Sequence, residues 1–99
     1  MKELVLRHYI AIRGRGLINN NTSLDEFREK LKEEIQEFWD ADCNEEVIDG
    51  DMAQEAMDIV GVIFNMLHHN GYDVKSEFKY NVEYQESRVI NIVSKEYND

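Results

Sequence analysis

The sequence predicts an all-α protein, an antiparallel bundle of about four helices, and three observations support this class. The chain of 99 residues has no proline and only five glycines, so few positions interrupt a helix. Hydrophobic residues make up 42% of the chain, which is enough for a small core. Apolar residues recur at spacings of three and four, the period of one helix face. We therefore expect residues 1–99 to form a single helical domain.

The first two predicted helices are separated by a polar loop. Apolar residues in "KELVLRHYIAI" predict the first helix, and "RGRGLINNNT" ends it because glycine and asparagine favour turns. Ser23 and Glu26 match a capping box, so a second helix is expected to begin there. Its core-facing stripe, through about residue 42, consists of Leu24, Phe27, Leu31, Ile35 and Phe38.

The third and fourth predicted helices differ in how apolar they are. The third, at about residues 52–69, is apolar on most of its circumference, so we expect it to be the central and most buried helix. Asn70 and Gly71 end it, and Asp73 can cap a fourth helix at about residues 74–97. The expected inward residues of the fourth helix are Phe78, Val82, Val89, Ile92 and Val93.

Charge and composition exclude several classes of protein. A formal net charge of -10 disfavours non-specific binding to nucleic acid or to anionic membranes, since both attract basic surfaces. The same charge suits bound cations. One cysteine cannot form an internal disulfide framework, and no segment resembles a signal peptide or a membrane span. We therefore expect a cytoplasmic protein without nucleic-acid or membrane partners.

Two pairs of acidic residues each lie on one face of a predicted helix. Glu34 and Glu37 occur in "EIQE", and Glu55 and Asp58 occur in "EAMD". Residues three apart are neighbours on a helix surface, so two such helices packed side by side would bring four carboxylates together. Asp58 is the strongest candidate, because its helix is otherwise apolar and an unpaired carboxylate in such a setting is costly.

A divalent cation relieves the repulsion within such a cluster. Hard oxygen ligands suit magnesium, with manganese as the alternative, better than zinc. Magnesium usually keeps several waters and is completed by substrate phosphates, so an acidic cleft can bind an anionic nucleotide. Glu34 and Glu37 alone are more typical of a solvated helix face, whereas for Glu55 with Asp58 the metal interpretation is the better one.

The two motifs, in this order and 17 residues apart, resemble the signature of the all-α nucleoside triphosphate pyrophosphatase superfamily. This superfamily includes MazG-like proteins, dimeric dUTPases, dCTP pyrophosphatases and phosphoribosyl-ATP pyrophosphatases. The resemblance runs from about residue 24 to residue 88, and it implies hydrolysis of a nucleotide between its α and β phosphates to give a monophosphate and pyrophosphate.

The resemblance also implies roles for individual residues. Glu34, Glu37, Glu55 and Asp58 would hold the magnesium ion, and Glu37 is our candidate for the base that accepts a proton from the attacking water. Candidate substrate contacts are Lys30, Asn65 and, within "KYNVEYQESR", Lys79, Asn81 and Arg88.

Two other functions remain open at this point. A phosphoribosyl-ATP pyrophosphatase has a similar K-x-x-E-E-x-x-E pattern and comparable length, although Lys32 stands where a small residue is often found. A non-catalytic acidic interaction protein is consistent with the charge alone. Under any of these functions, a third helix that is apolar almost all round needs more partners than three short helices supply, so we expect a homodimer or a tetramer.

Overall fold

The computed structural model describes residues 1–41 and 50–98, with side chains as far as residue 89, and every regular element among them is an α-helix. The helices are α1 (Lys2–Gly14), α2 (Leu24–Asp40), α3 (Gly50–His69) and α4 (Val74–Asn98). The predicted all-α class and the four predicted helices are thus confirmed. None of the described helices combines the length and hydropathy that crossing a membrane requires.

Side-chain caps fix the starts of α2 and α4 where the sequence predicts them. The Ser23 hydroxyl accepts from the backbone N–H of Glu26 at 3.2 Å, and the Glu26 carboxylate accepts from the Ser23 N–H at 3.0 Å. This is the predicted capping box. Asp73 accepts from the N–H groups of Ser76 and Lys75. The bond from Ser76 is the main cause of the lowered pKa of Asp73.

Helix α3 is central, as predicted, because it contacts each of the other three helices. It is less buried than its apolar sequence suggests. Only Gly61 and Asn65 of α3 are buried, and its large apolar side chains from residue 59 onward are half-buried. The neighbours of α3 within this chain therefore leave part of its circumference uncovered.

The buried apolar core is small and consists of Val5, Ile18, Phe27 and Val74 among the described residues. The predicted stripe of α2 is only partly covered. Phe27 is buried, but Leu24 and Ile35 are exposed, so the prediction that the whole stripe faces the core was wrong for these two residues. The reason is that α2 contacts only α3 among the described helices.

Helix α4 leaves the body of the protein soon after it begins. Val74 is buried, whereas Phe78, Val82 and Val89 are exposed, so the prediction that these three face inward was wrong for the single chain. The predicted inward side chains of residues 92 and 93 lie outside the described residues. The result is an elongated chain, 57 Å in its longest dimension.

A hydrogen-bonded histidine joins three parts of the chain beside the core. His69 Nε2 donates to the carbonyl of Thr22 at 3.0 Å, and His69 Nδ1 then accepts from the hydroxyl of Tyr9 at 2.8 Å. The His69 ring also lies 5.1 Å from the ring of Phe27. These contacts hold α1, the loop before α2 and the end of α3 in a fixed arrangement, which shapes the cleft described next.

Candidate metal centre

The packing of α2 against α3 brings three acidic side chains together. One carboxylate oxygen from each of Glu34, Glu37 and Glu55 lies within 4.8 Å of the other two. Glu34 and Glu37 are neighbours on α2, and Glu55 comes from the facing helix. The structure thus joins both motifs at one place, with three of the four predicted ligands in close proximity.

The burial of the four acids differs from the expectation. Asp58 is exposed, so the prediction that it sits in an apolar setting was wrong. Asp58 lines the open cleft, so its carboxylate keeps its hydration. Glu34, predicted to lie on a more solvated face, is only 8% exposed.

Two carboxylate oxygens at this place are buried and lack a hydrogen-bond partner among the described residues. They are Oε2 of Glu34 and Oε2 of Glu55. Lys30 Nζ bonds to the other oxygen of Glu34, Oε1, at 3.1 Å and leaves Oε2 unpaired. Buried unpaired acceptors are costly, and hard oxygen ligands are those that magnesium and manganese prefer. The residues present therefore fit a divalent cation.

The electrostatics of the cluster show the strain that a cation would relieve. The charge of Glu34 is the main cause that raises the pKa of Glu37, with desolvation second and a smaller effect of Glu55. The hydrogen bond to Glu34 raises the pKa of Lys30. The Lys30 ammonium group contacts Glu34 of the cluster and also Glu33, which lies outside it, so its single charge is shared between two carboxylates.

Two of these acids, Glu34 and Glu37, line a cleft of about 530 Å³, a volume within the range of roughly 300–1,000 Å³ that is typical of small-molecule sites. Its acidic end is formed by Glu34, Glu37 and Asp58, and the Arg15 and Lys30 side chains also line it. The rest of the lining is mixed and comprises the apolar residues Ile12, Leu17, Ile18, Phe27 and Val62 and the polar residues His8, Thr22, Glu26, Glu33 and Asn65.

Sequence reasoning did not assign Thr22, Glu26, Glu33 or His8 to a site, although these residues line the cleft. Of them, His8 on α1 bonds to a predicted site residue. Its Nδ1 donates to Oδ1 of Asn65 at 3.1 Å, and the Asn65 side chain belongs to a residue that is only 3% exposed. Gly61 makes room for the ring, since a Cβ there would lie 2.7 Å from Cε1 of His8. The sequence signal is a glycine followed four residues later by an asparagine on an otherwise bulky helix face, but nothing local points to a partner 57 residues away.

The predicted substrate contacts fall into two groups. Lys30 and Asn65 line the cleft. Lys79, Asn81 and Arg88 lie on the exposed part of α4, which does not contact α2. Lys79 is 4.0 Å from an acid one turn away, and the Arg88 guanidinium lies over a neighbouring aromatic ring. The structure of the single chain therefore does not bring these three residues to the acids.

Comparisons with known proteins return no relative of this chain. No protein-family model matches it, and no curated protein or solved structure matches it either. The interpretation of the site consequently depends on its own geometry and on the sequence motifs.

We predict that Gly61→Ala destabilises the protein through His8. The added Cβ displaces the imidazole ring and breaks its bond to Asn65, and an unpaired buried amide costs about 1–3 kcal/mol. Alanine recovers about 1 kcal/mol of helix propensity, so we expect a net loss of about 1 kcal/mol in the free energy of urea unfolding.

The matched control is Gly14→Ala, because nothing lies within 4 Å of a Cβ built there; this change should leave stability unchanged or raise it. In a His8→Ala background, Gly61→Ala should become stabilising. If Gly61→Ala stabilises the wild-type chain to the same degree, the ring does not occupy this position.

We also predict that Glu34→Gln lowers the pKa of Glu37 toward its ordinary value of 4.5, because the charge of Glu34 is the main cause of the raised value. A carboxyl group whose pKa is raised on folding binds its proton more tightly in the folded state. Its contribution to the free energy of unfolding therefore falls as pH rises from the ordinary pKa through the raised one. Carboxyl ¹³C titration in EDTA measures the shift, and Glu29→Gln on the exposed side of α2 should leave it unchanged.

Proposed function

We propose that this protein is a MazG-like, magnesium-dependent nucleoside triphosphate pyrophosphohydrolase, which cleaves between the α and β phosphates. The observation that carries the proposal is the pair of buried oxygens of Glu34 and Glu55 that lack a partner among the described residues. They belong to the three-acid group, of which Glu34 and Glu37 line the cleft. A structural ion pair would satisfy such atoms, whereas a metal site leaves them available.

Glu34, Glu37 and Glu55 would hold the cation, with Asp58 completing the acidic end of the cleft. When bound there, magnesium, or manganese in its place, would supply positive charge near the phosphate oxygens and would lower the pKa of a bound water. Glu37 is the exposed member of the three-acid group, and its raised pKa brings it nearer to neutral pH. Both properties suit a base that accepts the proton of the attacking water.

Two basic side chains of the cleft are candidates to stabilise the leaving group. Lys30 and Arg15 line the same cleft as the acids and can stabilise negative charge on the departing pyrophosphate. The role of Lys79, Asn81 and Arg88 as substrate contacts stays a prediction from the family resemblance. Among the described residues, their helix α4 does not contact α2, which carries two of the acids.

The two alternative functions differ in how the acids should be used. Hydrolysis of phosphoribosyl-ATP needs the same acid cluster and a related nucleotide, so only a substrate panel separates it from the leading proposal. An acidic interaction protein should display its carboxylates. Asp25, Glu29 and Glu33 of α2 do face solvent, but Glu34 is buried with an unpaired oxygen, which an interaction surface does not require.

The test is a panel of canonical and modified nucleoside triphosphates and phosphoribosyl-ATP with magnesium, scored for pyrophosphate release. Glu34→Gln and Glu55→Gln should each lower kcat/KM by about 100-fold or more, since even the partners of metal ligands are worth about 10–100-fold. Glu29→Gln should retain activity. Absence of hydrolysis across the panel by folded wild-type protein would favour the interaction protein.

Melting curves test the metal site independently of any substrate. Magnesium at 100 times its Kd should stabilise the wild type by about 2.7 kcal/mol, and Glu34→Gln should lose most of this gain. Asp58→Asn should change stability in EDTA by less than about 0.5 kcal/mol, because the residue is exposed.

We further propose that the protein is a homodimer or a tetramer, as the apolar α3 predicts. The accessible surface is 8241 Å², whereas a compact monomer of 11.7 kDa exposes about 5,900 Å². The radius of gyration is 17.5 Å, against about 13 Å for a compact chain of this length. The excess of roughly 2,300 Å² per chain matches what a large obligate interface covers.

The exposed stripe of α4 is the candidate surface for the second copy. Val74, Phe78, Val82 and Val89 lie on one side of the helix at helical spacing. Val74 is buried against the body of its own chain, while Phe78 is 54% and Val89 is 60% exposed. The apolar stripe thus continues past the point where the body of the same chain covers it. The matching stripe of a second copy can cover the exposed part.

We predict that Phe78→Asp dissociates the assembly, because it places a charge in the centre of this stripe. The matched control is Tyr80→Asp, since Tyr80 is 71% exposed and points about 200° away around the helix. Light scattering should give a monomer of 11.7 kDa for Phe78→Asp and the wild-type mass for Tyr80→Asp. A monomeric wild type at micromolar concentration contradicts the assembly.

A further inference from the structure

The cleft extends beyond the acidic residues along α3, toward a chemically different end. Asn65 is seven residues after Asp58, a distance of about 10 Å along a helix that rises 1.5 Å per residue. Both residues line the cleft. A nucleotide whose phosphates are bound at the acidic end therefore carries its nucleoside toward Asn65.

The walls of this second end suit a flat ring. Ile18 and Phe27 are buried and are therefore held in place, and Ile12 and Val62 complete the apolar lining. Covering apolar surface with an aromatic ring is favourable, whereas a phosphate would lose its hydration there. This end of the cleft accordingly selects the base of a nucleotide over its phosphates.

His8 supplies a polar atom at this apolar end. Its Nδ1–H donates to Asn65, so a neutral ring has its lone pair on Nε2, for which the described residues provide no hydrogen-bond partner. The ring is held in place, because Asn65 bonds to one nitrogen and the edge formed by Cε1 and Nε2 packs close to Gly61, where an added Cβ would lie 2.7 Å and 2.9 Å from these two atoms. A fixed acceptor on apolar walls is the arrangement by which pockets orient a ligand.

We propose that His8 reads the nucleobase of the substrate, with Nε2 accepting a hydrogen bond from an exocyclic amino group or a ring N–H of the base. Asn65 is then a positioning residue that sets the tautomer and orientation of the ring, in place of the direct substrate contact that the sequence predicts for it. The inference rests on the proposed function for the identity of the ligand as a nucleotide.

Nucleosides without phosphate isolate the base from the metal site. With full-length protein in EDTA and nucleosides at millimolar concentration, NMR titration should show the ¹⁵N signal of His8 Nε2 shifting for bases that carry N–H donors. His8→Ala should weaken nucleoside binding about three- to tenfold, the value of one hydrogen bond. His8→Gln, whose amide oxygen accepts, should retain most of the affinity.

His68→Ala is the matched control, because His68 packs against Tyr9 with ring centroids 4.6 Å apart and lines a different part of the surface. It should bind nucleosides as the wild type does. Nucleoside binding by folded His8→Ala that equals wild-type binding overturns the inference.

Enzyme kinetics separate this inference from the proposed function. His8→Ala should raise KM for the preferred nucleoside triphosphate with little change in kcat, and it should leave the cleavage of inorganic tripolyphosphate unchanged because that substrate has no base. Equal effects on both substrates overturn the role of His8. Nucleoside binding without hydrolysis of any nucleotide supports the base subsite and contradicts the proposed function. Hydrolysis of a nucleotide by the wild type, together with an unchanged KM in His8→Ala, supports the proposed function and contradicts the base subsite at His8.

Discussion

The contact between α2 and α3 places acidic side chains where the protein itself cannot fully satisfy them, and the rest of the site depends on this constraint. Glu34 and Glu55 each bury one unpaired oxygen, and Lys30 neutralises only one side of Glu34. The unsatisfied negative charge raises the pKa of Glu37. Under the proposed function, such a site would give up stability in the free protein and recover it on binding a cation.

Helix α1 forms one side of the cleft. Polar contacts with distant parts of the chain hold this helix in place. His8 bonds to Asn65, and Tyr9 bonds to His69, which in turn reaches the carbonyl of Thr22. Adjacent residues of α1 thus bond to two turns of α3. These bonds hold the apolar side chains of α1 beside the acids that line the cleft.

The small core has consequences for the whole molecule. Four buried apolar side chains among the described residues give a chain of this size little hydrophobic stabilisation. The apolar side of α4 and the uncovered side of α3 are available for a second copy, so assembly can supply the burial that the single chain lacks. The proposed assembly would then stabilise the same α3 that contributes Glu55 to the three-acid group.

The sequence by itself determined the helices, because caps such as Ser23 and Asp73 and the apolar period are local properties that act within one turn. The sequence also determined that Glu34 and Glu37 point the same way, because they are three residues apart on one helix. Such a pair can meet Glu55 when the two helices pack together. Only the tertiary structure decided that Glu34 of α2 is buried and Asp58 of α3 is exposed, because the burial of each depends on how the two helices pack against each other. It alone revealed His8, because the bond from α1 to Asn65 joins residues far apart in the chain and has no local pattern.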